Sequence, residues 1–451
     1  MGETFKRKSL LQLTWPLFIE MTLFMLMGMA DTFMLSAYSD NAVAAVGMSN
    51  QVINLIAVMF NFVAAGTVIL VSQNLGAKNL TKASEYSIVS IGANLIIGII
   101  LSIVLVFSSK TILELMNTPA DIFDITVTYT KIIGTFLFLS AVQPVLSGIL
   151  RSFGFTKESM IISLIANVCN IIGNAIFIYG LFGAPAIGPV GVAISTVLSR
   201  FISLALVAVV LARKVKFTLP EHFFKRLPLN ELKNILRIGV PAALEHVAYS
   251  TSQTFILSFI SLLGTVAVTA RVYGSNIGMF IYLFGCAIAQ GNQILVGYLI
   301  GERDFDTVYT QTKKTHYLAV VVTLCISIFV YIFSDYIFGI FTDDPEILKL
   351  GHSLMLVNIF LETGRATNLV MTNALKAAGD INYPFIIGIV GMWGISVPIA
   401  YILGIQFELG LIGIWIAYAM DECFRGLVFI IRWHKQKWKQ KLTIPLDPLV
   451  S

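Results

Sequence analysis

A charged carboxylate placed at the centre of a membrane-spanning helix costs roughly 3 kcal/mol on insertion scales, so a chain keeps one there only where it faces protein or water. Asp31 is a carboxylate within such a helix. It stands near the far end of the apolar run LLQLTWPLFIEMTLFMLMGMADTFML (10–35), which also carries Pro16 and, one turn later, Glu20. The chemistry open to it is the binding and release of a proton or a small cation. The competing reading is a position close enough to the outer headgroups for water to reach it. Amides and hydroxyls recur at helical spacing further on: Gln51, Asn54 and Asn61; Ser140, Gln143 and Ser147; Asn167, Asn170 and Asn174. Separations of three, four and seven put each set on one helix face. Lipid cannot satisfy such faces. They are expected to point inward, converging with Asp31 or, taken singly, making ordinary interhelical hydrogen bonds. Gln143, Asn170 and Asn174 are the expected partners of Asp31 in holding a cation. Gln51, Asn54, Asn61 and Ser147 are candidates for a substrate cleft.

The second half of the chain carries a different set: Glu245 and His246, then Glu362, Arg365 and Asn368, then Asp421, Glu422 and Arg425. A fixed guanidinium repels Na+ but pairs with a carboxylate, so Arg365 is expected to bind Glu245 or Glu362 in a structural ion pair or a secondary site. His246 alone reads as a packing residue. Met25 and Met29 repeat at a four-residue interval, and their polarizable thioethers suit either a cavity of broad tolerance or plain packing. Pro16 and Pro241 each remove a backbone hydrogen bond and mark places where a helix bends; a hinge and a static kink both stand for Pro16. Glu20 and Glu245, beside prolines expected at helix starts, suit closure of an inner gate or capping. No catalytic site is expected. The five histidines (His222, His246, His316, His352, His434) are dispersed, the four cysteines have no metal-ligand spacing, and no GxxxxGK[ST] occurs.

The elements that must position these residues are membrane helices. Of 451 residues, 57% are hydrophobic and 12% charged, with a mean hydropathy of +0.84. A soluble protein carries about twice that share of charge. The chain is expected to be an all-α integral membrane protein with a lipid bilayer as its solvent, and its net charge of +5 reports topology rather than nucleic-acid binding. Twelve spans are expected at roughly 10–36, 42–72, 85–108, 126–149, 158–181, 189–212, 234–261, 268–299, 316–337, 351–374, 382–404 and 411–432. The first is expected to be a span and not a cleaved leader. Bases gather on one side: Lys6, Arg7 and Lys8, seven residues between Arg213 and Arg237, Lys313, Lys314, Lys376, and Arg432 to Lys441. Asp40, Asp121, Asp343 and Asp344 lie opposite, so both termini are expected in the cytoplasm.

An internal repeat organises the spans. WPLFIE (15–20) matches VPAALE (240–245), VSQNLGAKN (71–79) matches VGYLIGERD (296–304), and RSFG (151–154) matches KAAG (376–379), all at an offset of 225. GPVGVAI (188–194) matches GLIGIWI (410–416) at 222. Six helices per half give both halves the same orientation, hence two lobes related by an axis along the membrane normal. The expected lobes are 1–218 and 219–451, with 213–237 as a basic linker.

With the WP opening of the first span, DTFML at Asp31, SQNLGA, LRSFG, the NxxxN of the fifth span and GxxGxA opening the sixth, the chain resembles multidrug and toxic compound extrusion (MATE) transporters over nearly its full length. Asn174 in place of an aspartate resembles the DinF-like branch. The resemblance implies two lobes about a cleft and an antiport cycle exporting organic cations or drugs across the plasma membrane. It also implies coupling at Asp31, which matches the family's aspartate in the first span. Arg365 stands where many sodium-coupled members carry an acid. A proton is therefore favoured over Na+, no other cofactor is implied, and a monomer is expected. Protonation of Asp31 would free its amide partners and shift a conformational equilibrium of the lobe, in competition with substrate. The alternative within transport is a flippase for a lipid or polysaccharide intermediate. That reading calls for a cleft rich in Arg and Lys, and few buried bases are expected here.

Overall fold

The computed structural model describes residues 8–220, 223 and 227–442. Lys6, Arg7, Lys225, Arg226 and His222 lie outside them. The described residues are helical with no strand. The helices are α1 (Leu10–Ser36), α2 (Asp40–Gly76), α3 (Leu80–Leu115), α4 (Ala120–Thr135), α5 (Leu137–Ser152), α6 (Thr156–Tyr179) and α7 (Pro189–Lys214). They continue with α8 (Leu229–Leu262), α9 (Thr265–Gly301), α10 (Phe305–Ile332), the short α11 (Ser334–Gly339), α12 (Pro345–Ala377), α13 (Asn382–Gln406) and α14 (Gly410–His434).

Eight of these helices are apolar enough to cross a membrane on composition alone, and α4 with α5 makes a ninth span bent by 49°. Three more complete the expected twelve: α8, α12 and α14, with 34, 33 and 25 residues. At 1.5 Å per residue each is long enough. Polar and charged side chains interrupt their apolar runs. The fourth span was expected as one helix over 126–149 and instead breaks at Phe136. There the Phe138 amide leaves the helix ladder and donates to Ser102 Oγ of α3 at 3.1 Å. That side chain supplies the acceptor that a bent backbone loses.

The repeat is visible in the backbone. Lys78 and Arg303, 225 apart, both take positive φ (56° and 60°). The next residues, Asn79 and Asp304, cap α3 and α10 by accepting from the amides of Lys82 (3.0 Å) and Thr307 (3.1 Å). Gly154 and Gly379 also match, with φ of 84° and 94°, a conformation open to glycine because it has no Cβ.

The chain forms two compact units, one comprising Lys8 with Trp15–Val240, the other Ser9–Thr14 with the chain from Pro241 on. The division thus falls at Val240 within α8, beyond the expected linker. In both α1 and α8 the unit changes within a residue or two of the repeated proline. Neither Pro16 nor Pro241 starts a helix, contrary to expectation: α1 begins at Leu10 and α8 at Leu229.

Within the first unit, Asn94 of α3 donates to the carbonyls of Phe60 (3.0 Å) and Ala141 (2.8 Å), fastening α2, α3 and α5. Residues 229–240 of α8 cross α2 here at close range. A Cβ on Gly66 would lie 2.6 Å from the Ile235 carbonyl oxygen, and one on Gly239 would collide with the Phe62 carbonyl. In the second unit the first turn of α1 meets Gly291 of α9, where a Cβ would lie 2.6 Å from Thr14 Oγ1. Gly66 and Gly291 are again 225 apart, as are Thr14 and Gly239. Gly66→Val is expected to destabilise the protein by about 1–3 kcal/mol, the usual cost of overpacking against backbone. Gly92→Ala, which meets open space, should not. Thermal unfolding in detergent checks this, and equal midpoints for the two variants would contradict the close crossing.

Candidate functional site

Asp31 lies in the last turns of α1, half-buried. Its Oδ1 accepts a hydrogen bond of 2.6 Å from Asn174 Nδ2 of α6. Asn174 is fully buried and reaches Asn170 Oδ1 at 3.4 Å, one turn back on the same face. Asn170 Nδ2 continues to Thr196 Oγ1 of α7 at 3.4 Å. Asn174 Oδ1 is buried without a partner. No ion pair is made by Asp31 among the described residues, although the Arg200 guanidinium of α7 is near enough for its charge to be felt there. Arg200 donates to Ser140 Oγ of α5 at 2.7 Å.

The structure brings Asp31, Asn170 and Asn174 together and leaves the other candidates apart. Gln143 donates to Ser203 Oγ of α7 at 2.7 Å. Ser147 is buried within α5, its carbonyl accepting from Arg151 Nε at 3.2 Å. Gln51, Asn54 and Asn61 are exposed and do not bond Asp31; Asn61 bonds back to the Ala57 carbonyl of its own helix. The buried face of α2 is the one carrying Ala42, Ala45, Val46, Val52 and Ile53, and the three amides lie off it. Of the methionines, Met25 is half-buried and Met29 exposed. Glu20 accepts from Ser159 Oγ of α6 at 3.0 Å, so it packs inside the unit and caps nothing.

The second unit contains a cavity of about 530 Å³ lined by α8, α9, α12 and α14. Three carboxylates and two guanidinium groups form one network along it. Arg365 binds Glu362 (2.5 Å) and approaches Glu422 (3.5 Å). Arg425 holds Asp421 with two bonds of 2.7 and 2.9 Å and reaches Glu422 at 3.1 Å. Asn368 donates to Glu422 Oε2 (2.7 Å) and accepts from Thr372 Oγ1 (3.0 Å). Gly391 of α13 makes room, since a Cβ there would press on the Arg425 stem at 2.9 Å. It precedes a widened π segment, Met392–Ser396, itself followed by Pro398, which has no amide to donate.

Arg365 takes Glu362, the nearer of its two expected partners. Glu245 instead pairs with Lys376 at 2.6 Å; Lys376, counted above among the loop bases, lies in the last turn of α12. His246 is exposed on the cavity wall, which corrects its reading as a packing residue. Buried bases are few, as expected: among the described residues Arg425 alone of the arginines and lysines is buried, while Arg271, Arg365 and Lys376 are half-buried. Arg271, Arg365, Lys376 and Arg425 line this cavity, but Glu245, Glu362, Asp421 and Glu422 line it too. Sequence reasoning passed over Arg271, although a lone arginine six residues into an otherwise apolar span is itself a signal.

Three comparisons with known proteins bear on this arrangement. The family profile described as MatE matches the chain twice, at residues 16–176 and 241–402. An uncharacterized transporter of Bacillus subtilis, YisQ, is 41% identical over 97% of this chain and 96% of its own length. A probable multidrug resistance protein of Thermotoga maritima, NorM, is 27% identical over 97% of this chain and 94% of its own. Two solved structures share the fold at 22% identity, a TM-score of 0.86 and 95% coverage of each chain. One is the outward-facing conformation of a multidrug resistance MATE family transporter of the MOP superfamily. The other is a MOP superfamily transporter from Pyrococcus furiosus for which reversed polarity of the binding pocket suggests a different function.

Proposed function

We infer function from the premise that this chain belongs to the MatE family of multidrug efflux transporters, membrane carriers and not enzymes. It exports small amphiphilic organic cations or drugs across the cell membrane in exchange for protons, by alternating access, with both termini in the cytoplasm. One observation carries the choice of coupling ion. Asp31 is met by the N–H side of Asn174, while Asn174 Oδ1 has no partner. A proton on Asp31 can be donated to that oxygen, closing a ring of two hydrogen bonds between carboxyl and amide. Na+ would need oxygens turned toward it, and the amide presents a donor. Protonation therefore changes the bonds joining α1 to α6, which is the differential interaction a proton needs to shift a conformational equilibrium. A flippase for polyanionic intermediates calls for surplus bases, whereas four acids balance four bases in the second-unit cavity.

The test is efflux of rhodamine 123 from proteoliposomes under an imposed pH gradient, then under a Na+ gradient. Export driven by the pH gradient alone supports this reading. Export driven only by Na+ would overturn the coupling ion, and no movement under either gradient would overturn the exporter.

A further inference from the structure

The second-unit cavity holds a group of hydrogen-bond donors that the coupling at Asp31 does not use. Asn358 of α12 and Trp415 of α14 are each 3% exposed, line the cavity, and have donors, Nδ2 and Nε1, with no hydrogen-bond partner. Buried donors of this kind are rare because they have lost water and gained nothing. The space before them is kept open by two glycines one turn apart on α9. A Cβ on Gly278 would lie 3.9 Å from Asn358 Nδ2, and one on Gly274 would lie 3.6 Å from Trp415 Cζ2. Tyr418, its ring 5.6 Å from that of Trp415, lines the same cavity with Arg271 of α9, and its buried hydroxyl also has no hydrogen-bond partner. Among the described residues Arg271 is the one arginine or lysine of the cavity wall that no carboxylate pairs; Arg365, Lys376 and Arg425 all have acidic partners.

We propose that Arg271, Asn358, Trp415 and Tyr418 form a subsite for the carboxylate of an organic solute. The proposal rests on the exporter reading and names the substrate class it takes in this cavity. A carboxylate offers about four lone-pair directions, which a guanidinium fork, an amide, an indole N–H and a phenol can meet together. One unpaired positive charge calls for a single negative one. The adjoining network has three carboxylates for two guanidinium groups, a formal surplus of one negative charge. Its nearest member, Glu362, lies beside the same Gly278 as Asn358. The solute that neutralises both ends is a zwitterion, with its carboxylate on Arg271 and its cationic part toward Glu362 and Glu422. A volume of about 530 Å³ lies within the range of pockets for drug-sized ligands.

Rhodamine 110 and its methyl ester, rhodamine 123, share a cationic ring system and differ by the free carboxylate. Fluorescence polarisation with the full chain in detergent is expected to show the acid binding at least ~10-fold more tightly than the ester, the size of effect expected of a desolvated charge pair. Arg271→Gln should bring the acid to the affinity of the ester while moving the ester less than about twofold, and Arg271→Lys should restore part of the difference. Thermal midpoints report that each variant is folded. Equal affinities in the wild type, or equal weakening of both dyes by Arg271→Gln, would overturn the subsite. Absent binding of the acid with rhodamine 123 efflux intact would overturn the subsite and leave the exporter standing. Selective binding of the acid without efflux of either dye would support the subsite and count against the exporter.

Discussion

Replacing Asp31 with asparagine is expected to lower pH-gradient-driven efflux by tenfold or more, within the 5–150-fold that typical coupling free energies span. The side chain keeps its shape and can still accept from Asn174, now 2.6 Å away, so the helices should stay packed and the protein folded. What is lost is the group that differs between the two protonation states. Without it a pH gradient has nothing at this position to act on, and exchange should run only down the gradient of the substrate. Asp40, exposed at the start of α2, serves as the comparison. Asp40→Asn should transport at the wild-type rate, because a solvated carboxylate gains and loses its proton without altering any helix contact. Initial rates in proteoliposomes measure both variants. Undiminished pH-driven efflux in Asp31→Asn would move the coupling site to the second unit.

A larger effect on stability is expected at Arg425. Its side chain is 7% exposed and those of Asp421 and Glu422 are 6% and 9% exposed, so its removal leaves two largely buried carboxylates short of their main partner. Breaking a buried pair by deleting one side costs about 3–5 kcal/mol, far more than the pair contributes over an apolar replacement. Arg425→Leu should therefore lower the thermal midpoint sharply. Arg425→Leu combined with Asp421→Leu should recover much of the loss, since Glu422 keeps Arg365 at 3.5 Å and Asn368 at 2.7 Å. A double variant as unstable as the single one would show that the network acts as a unit in which Asp421 has no separable place.

These expectations rest on features that were unequally readable from the chain. The spans were legible because hydrocarbon demands long apolar runs. The repeat was legible because its turns need glycine at Gly154 and Gly379 and caps at Asn79 and Asp304, all local requirements. Asp31 and Asn174 could be singled out for the same kind of reason, as polar residues of short reach on apolar helices. Their pairing was legible only as a convergence. Gln143 carries a similar signal and bonds Ser203 instead, because its partner depends on how α5 lies against α7, which no periodicity records. The break at Phe136 depends on a hydroxyl from another helix. Gln51, Asn54 and Asn61 show a related limit: a stripe of amides shows which residues share a face and not what that face meets. The ion-pair network of the second unit was only half visible. Its acids and bases could be named, but the cavity beside them, and Arg271 within it, appear only once α9, α12 and α14 are set side by side.

The most direct test of proton coupling through Asp31 is proton release on substrate binding. If substrate and proton favour different conformations, each must lower the affinity of the other by the same factor. Adding rhodamine 123 to the detergent-solubilised protein in weakly buffered, Na+-free solution should then liberate protons from the wild type and none from Asp31→Asn, recorded with a pH-sensitive dye. Equal release from both proteins, or none from a wild type that binds the substrate, would contradict the account.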